Sequence, residues 1–163
     1  MRIYRIDSPD QAEVARTLVR EYMLSWGVDD ITDPELLDEL ERLHHHYGPP
    51  DGCTLVAEGD DGPLGVVAFK RVDEHTCEMK RMYVRPGARR AGVGRALALA
   101  LMREAAGMDY KRMRLDTPSE NGPAIAMYRS IGFEEIPAYF EVPPDHPIQR
   151  WTCLAADDLV GDA

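Results

Sequence analysis

The chain has 163 residues, 44% of them hydrophobic and 29% charged, with a net charge of −10. That size and composition fit one soluble domain over residues 1–163, with a core that needs no metal or disulfide staple. The acidic balance excludes a nucleic-acid partner, whose phosphates demand a basic footprint, and neither a signal-peptide core nor a run of roughly 20 apolar residues for a membrane helix is present.

Residues 2–6 alternate and predict a short strand. Asp7 or Ser8 caps a helix with Pro9 at its first position and Val14, Leu18 and Tyr22 at spacings of four. A loop over 26–32 leads to a second helix, capped by Asp33 with Pro34 just inside. It carries Leu36, Leu37, Leu40 and Leu43, and Gly48-Pro49-Pro50-Asp51-Gly52 breaks it. Strands follow over 54–58, 64–71 and 76–84, joined by the hairpin signal Gly59-Asp60-Asp61-Gly62 and by Asp73-Glu74-His75. Pro86-Gly87 ends the third of these strands. An Ala/Leu-rich helix over 92–106 has Gly107 placed as its C-terminal cap. Residues 112–117 alternate as a further strand. Asn121 caps a helix ending at Gly132, and extended pieces at 133–137 and 149–154 flank a Pro-rich loop. The order β-αα-βββ-α-β-α-ββ predicts an α/β (α+β) fold. Hairpins and one parallel crossover build a mixed central sheet with helices on both faces.

Charge is distributed unevenly. From Lys80 to Arg114 ten basic residues face two acidic ones, a local balance of +8 within an acidic chain. A bound anion of modest size accounts for such an island, as does an ordinary solvated basic face. The three widely spaced cysteines, Cys53, Cys77 and Cys153, read as reduced thiols in a reducing, cytoplasmic setting, without zinc-type spacing. His44-His45-His46 closes the second helix, where consecutive side chains diverge, so no metal site is expected.

The feature with most chemical content is a strand, a Pro-Gly-Arg-Arg turn and a helix opening on Gly92-Val93-Gly94. The first N–H groups of a helix lack internal partners, and the helix dipole adds positive potential there. Glycines at this point let a pyrophosphate reach the backbone, and Arg89, Arg90 and Arg95 supply charge-assisted bonds. Neither the dinucleotide nor the Walker pattern is completed, since Leu97 stands where a third glycine belongs. Taken alone, the turn is equally a tight packing turn.

Residues 78–97, Glu-Met-Lys-Arg-Met-Tyr-Val-Arg-Pro-Gly-Ala-Arg-Arg-Ala-Gly-Val-Gly-Arg-Ala-Leu, resemble motif A of the GNAT superfamily of N-acetyltransferases, with Arg89, Gly92 and Gly94 filling its signature. Residues 121–133, Asn-Gly-Pro-Ala-Ile-Ala-Met-Tyr-Arg-Ser-Ile-Gly-Phe, resemble motif B, and the element order matches over almost the whole chain. The resemblance implies that acetyl-CoA lies in a V between the strand ending at Val84 and the strand near Leu115. Backbone groups at Met82-Tyr83-Val84 would then hold pantetheine. Those of Arg89, Arg90, Gly92, Val93, Gly94 and Arg95 would hold the pyrophosphate, with Asn121 also at the cofactor.

Transfer to an amine requires removing an ammonium proton, a donor for the developing oxyanion and a proton for the departing thiolate. The resemblance assigns the oxyanion donor to the Val84 N–H and the acid to Tyr128, which is otherwise a core aromatic. Period two puts Glu78, Lys80, Met82 and Val84 on one face. In an apolar cleft there Glu78 is fit to be the base; otherwise it is a salt-bridged glutamate with Lys80 or Arg81, and water is the base. The resemblance sets Tyr22, Trp26, His45 and Tyr47 beside the acceptor, with core packing as the equal alternative, and makes the loop 138–144 one wall of its pocket. The expected acceptor is a small-molecule amine. Protein lysines or N-termini, and a non-catalytic acyl-CoA-binding role, are the alternatives. Frequent dimers in the family leave a homodimer open.

Overall fold

A computed structural model of the chain describes residues 1–27 and 30–160. Among the described residues seven strands and five helices follow in chain order: β1 Arg2–Arg5, α1 Pro9–Leu24, α2 Pro34–Glu41, α3 Leu43–Tyr47, β2 Cys53–Gly59, β3 Gly62–Arg71, β4 Thr76–Val84, α4 Val93–Gly107, β5 Arg112–Pro118, α5 Gly122–Ser130, β6 Glu134–Ile136 and β7 Trp151–Ala156. A short 3-10 turn, Pro86–Ala88, precedes α4. The strands form one sheet in the order β1-β2-β3-β4-β5-β7-β6, with β4–β5 as its parallel pair and every other pairing antiparallel.

Helix starts follow the local chemistry. The Ser8 hydroxyl accepts from the Gln11 N–H at 3.2 Å, with Pro9 next in the chain. The Asp33 carboxylate accepts from the N–H groups of Glu35 and Leu36 at 2.8 and 3.3 Å. Such caps satisfy donors that a helix cannot pair internally.

Other boundaries differ from expectation. The second helix divides at Arg42 (φ −117°, ψ 38°) into α2 and α3. Gly107 lies inside α4, and the left-handed residue after the helix is Asp109 (φ 69°). Asn121 precedes α5 without a capping side-chain bond, and the helix stops at Ser130. Within the expected loop 26–32, residues 28 and 29 lie outside the described residues.

Two cores flank the sheet. Leu55, Val67, Phe69, Cys77, Met79, Met113 and Leu115 pack against Val93, Leu97 and Leu101 of α4 and Tyr128 of α5. On the opposite face Val56, Val66, Ala68 and Tyr83 pack against Leu18 and Met23 of α1, Leu40 of α2 and Leu43 and Tyr47 of α3. No helix among the described residues is long and apolar enough to cross a membrane.

Candidate active site

The site begins where two parallel strands separate. β4 and β5 pair only over Thr76–Glu78 and Arg112–Arg114. Beyond that point β4 follows β3 as far as Val84, while β5 follows β7 as far as Pro118. A bulge in β4 accompanies the separation. Ala68 pairs with Lys80 and Val66 with Tyr83, so Arg81 and Met82 both oppose Val67. Arg81 takes φ 59°, a left-handed conformation unfavourable for a residue with a Cβ.

Long-range partners hold it there. The Arg81 guanidinium makes two bonds to the Glu39 carboxylate, at 2.7 and 2.8 Å, and the Tyr47 hydroxyl donates to the same carboxylate at 2.7 Å. The Trp26 ring lies 5.6 Å from the guanidinium. Burial acts to raise the Glu39 carboxyl, but the bonds and charge of Arg81 outweigh it and leave the group below its ordinary value. Tyr47 is therefore a buried partner of Glu39.

The bulge reverses the facing of the strand, which corrects the expectation that Glu78, Lys80, Met82 and Val84 share a side. Lys80 lies opposite Ala68 on the α1 face, and Glu78 shares that side by alternation. Met82 and Val84 pack on the α4 face. The Tyr83 side chain points to α1, where its ring lies 5.6 Å from that of Tyr22. At the free edge, the Arg85 N–H donates to the Leu64 carbonyl at 2.9 Å. Antiparallel alternation then turns the Val84 N–H and C=O away from β3 into the V. Consistent with this, the Val84 carbonyl accepts from Arg89 Nε at 3.0 Å.

Next comes the glycine turn. Arg90 (φ 64°) and Gly92 (φ 79°) are both left-handed and swing the chain into α4. The first helical bond runs from the Ala96 N–H to the Gly92 carbonyl at 3.0 Å. Among the described residues the N–H groups of Gly92, Val93, Gly94 and Arg95 have no acceptor. A Cβ on Gly94 would lie 3.6 Å from Val84 Cγ2 and 3.9 Å from Met127 Cε, so the helix start abuts the tip of β4 and α5. Arg89, Arg90 and Arg95 are exposed, whereas the Val93 side chain is buried and offers only backbone. Asn121, exposed, stands across the opening just after β5.

Tyr128 is buried on α5, edge-on to Phe133 with ring centroids 5.6 Å apart. Burial raises its hydroxyl above the ordinary value, and Tyr22 from the other face adds to this. No hydrogen bond holds the Tyr128 hydroxyl among the described residues, yet it is not a fully buried unsatisfied group.

On the face opposite α4 and α5, the V continues into a groove of about 340 Å3 lined by Glu78, Lys80, Arg114, Asp116, Tyr139, Phe140 and Trp151. Glu78 is buried here, but its setting is ionic, which corrects the expected apolar cleft. Arg114 Nε donates to Oε1 at 2.9 Å, and Lys80 Nζ lies 3.2 Å from Oε2. Arg114 and Asp116 escaped the sequence reading. Their signal was the alternation of 112–117, which sets both on the face away from Met113 and Leu115. Of the other residues expected near the acceptor, Tyr22 and Trp26 do meet, their rings 5.3 Å apart. His45 is exposed, and His46 bonds Asp38 at 2.9 Å. No group of three or more metal-ligating side chains occurs among the described residues.

The sequence pattern of the acetyltransferase (GNAT) family matches residues 14–133. An uncharacterized N-acetyltransferase of Schizosaccharomyces pombe is 35% identical over 143 residues, covering 86% of this chain and 87% of that protein. An acetyltransferase of the GNAT family from Staphylococcus aureus superposes with a TM-score of 0.73 at 19% identity, over 96% of this chain and 99% of that one. An aminoglycoside 6'-N-acetyltransferase complexed with coenzyme A superposes with a TM-score of 0.70 at 15% identity, over 100% of both chains. The chain belongs to the acetyltransferase (GNAT) family and is an acetyl-CoA-dependent N-acetyltransferase.

Proposed function

We propose that residues 1–163 act as one catalytic domain that transfers acetyl from acetyl-CoA to the primary amine of a small molecule, by direct attack in a ternary complex. The carrying observation is the separation of β4 from β5 beside a helix start whose amides lack partners. In this reading pantetheine runs along the backbone of Met82, Tyr83 and Val84. The diphosphate sits against the backbone of Arg89, Arg90, Gly92, Val93, Gly94 and Arg95, with the Arg89 N–H turning from the Pro86 carbonyl that it meets at 3.4 Å, and Asn121 borders the cofactor from across the V. Coenzyme A in a structural relative supports the assignment.

The chemistry divides between the two faces of the sheet. The acceptor ammonium loses a proton, and its lone pair attacks the thioester carbon. The oxygen takes up negative charge beside the Val84 N–H. Collapse breaks the C–S bond. The thiolate takes a proton from Tyr128, which recovers one from the new amide nitrogen, so one proton is released per turnover. Glu78 is the proposed proton acceptor; both its oxygens are engaged, so a water carries the proton to it. Glu78→Gln should flatten the acidic limb of the pH–rate profile, and an unaltered limb leaves water as the base. The modest volume of the groove favours a small acceptor over a protein tail.

A calorimetric titration with CoA, repeated on Gly92→Glu, tests the cofactor half. Binding to the parent chain and its loss in the variant are expected; equal affinity refutes the turn assignment. Thiol release with small amines against basic peptides tests the acceptor half, and turnover restricted to peptides refutes it.

A further inference from the structure

We propose that the acceptor is a zwitterion, a free amino acid with an apolar or aromatic side chain, whose carboxylate is taken by Arg114 and whose ammonium is taken by Asp116. The inference rests on the acetyl-transfer reading and specifies its substrate class.

The groove holds two cations, Lys80 and Arg114, and two anions, Glu78 and Asp116. Glu78 already engages one nitrogen from each cation. What is left over has a definite character. Arg114 donates only through Nε, so its two terminal nitrogens have no hydrogen-bond partner among the described residues. Asp116 uses Oδ2 to accept from the Tyr139 hydroxyl at 3.0 Å, and its Oδ1 has no partner among them. One cationic fork and one anionic oxygen thus face the same space.

Both groups are held in place. The Arg114 guanidinium lies 3.9 Å from the centroid of the Tyr139 ring, which fixes its plane, and a planar fork matches a carboxylate in two parallel bonds. The Tyr139 hydroxyl fixes Asp116. The residues alternate along β5, so they share a face with Cα atoms about 7 Å apart. That spacing lets converging side chains grip the two charged ends of an α-amino acid.

The order along the strand sets the direction of binding. β5 runs parallel to β4 and leaves it after Arg114, so Asp116 is the member nearer the open V. A carboxylate on Arg114 therefore points the amine toward the thioester. Phe140 and Trp151, with ring centroids 6.1 Å apart, form the wall available to the amino-acid side chain. A polyamine would bring a second cation against Arg114 and Lys80. A lysine side chain on a protein would bring no carboxylate to pair with them.

The test titrates the CoA-saturated chain with L-phenylalanine, L-leucine and L-methionine, then with their carboxamides, their decarboxylated amines and spermidine. At least one amino acid should bind about 10- to 100-fold more tightly than its amide and its amine, the loss expected for a charge-assisted pair. Arg114→Gln should bring the amino-acid to amide ratio close to one. Asp116→Asn should weaken amino acid and amide alike. The ratio is internal to each variant, so a partly unfolded variant does not distort it. Amide or spermidine binding as tightly as every amino acid, or a ratio unmoved in Arg114→Gln, overturns the assignment. A chain that takes up no CoA removes the acetyl-transfer reading instead.

Discussion

The buried pair at the β4 bulge gives the sharpest test of how the V is held open. Arg81→Ala strands the Glu39 carboxylate with Tyr47 as its remaining partner, and breaking a buried ion pair from one side costs about 3–5 kcal/mol. Alanine at φ 59° keeps the left-handed strain of about 1–2 kcal/mol that arginine already bears there. Arg81→Gly loses the same pair without the strain. In an ordinary strand glycine is less stable than alanine by about 0.5–1 kcal/mol. Here the order should reverse, with Arg81→Gly the more stable by about 1 kcal/mol. Glu39→Gln keeps a partner for Tyr47 but leaves the guanidinium unpaired, at about 3 kcal/mol. Urea denaturation at constant m-value reads all three. The pH dependence has a fixed sign. The folded Glu39 carboxyl lies below its ordinary 4.5, so the contribution is fully present above that value and is lost as pH falls through the lower folded value. The gap between the parent and Glu39→Gln should therefore narrow on acidification below 4.5. Equal stability of the alanine and glycine variants, or greater stability of alanine, would refute a left-handed bulge.

Three other outcomes are expected. Tyr128→Phe should lower kcat by about 100-fold with little change in the KM for acetyl-CoA; because burial holds the hydroxyl above 10.0, the parent should lose no activity through this group at lower pH, and steady-state kinetics over pH check both points. Gly65→Ala would set a Cβ 2.6 Å from the Tyr83 carbonyl oxygen and 3.1 Å from Leu97 Cδ1; the overpacking should cost about 1–3 kcal/mol and raise the KM for acetyl-CoA by moving the strand edge, and an unchanged KM would detach that edge from the cofactor. Burial pushes the Cys53 and Cys77 thiols up to about 11 and about 12, so a thiol reagent at neutral pH should modify them only with unfolding, as mass spectrometry across a urea series would read.

Local chemistry made much of the scaffold legible. Ser8 with Pro9 and Asp33 with Pro34 announce helix starts because each satisfies amides within three residues. Gly92 and Gly94 announce the turn because backbone freedom is encoded in the residue itself. What escaped depends on partners distant in sequence. Nothing around Arg81 signals a left-handed residue; Glu39, 42 positions earlier, holds the bulge. Without it, period two ran unbroken and put Glu78 on the side of Val84. The insertion of β7 between β5 and β6 is likewise a pairing across a long loop. Glu78 looked suited to an apolar cleft because its partner Arg114 lies 36 residues away, aligned with it only by the parallel pairing.

The same long-range pairings separate the paired cations of the basic island from the unpaired ones. Of the cations between Lys80 and Arg114, Arg81 is taken by Glu39, Arg85 by Glu21, Arg112 by Asp157, and Lys80 and Arg114 by Glu78. Each of these pairs spends charge on architecture: the bulge, the tip of β4, the end of the sheet and the floor of the groove. Arg89, Arg90 and Arg95 have no acidic partner among the described residues, and they surround the helix start whose amides are also unpaired. A field spread over the whole stretch would attract any anion to a broad surface. Carboxylates drawn from α1, α2, β4 and the C-terminal segment instead pair five of its cations, none of them at that turn. Positive potential is left at the turn proposed for the diphosphate, while the opposite face keeps the balanced set of charges on which the proposed zwitterionic acceptor depends.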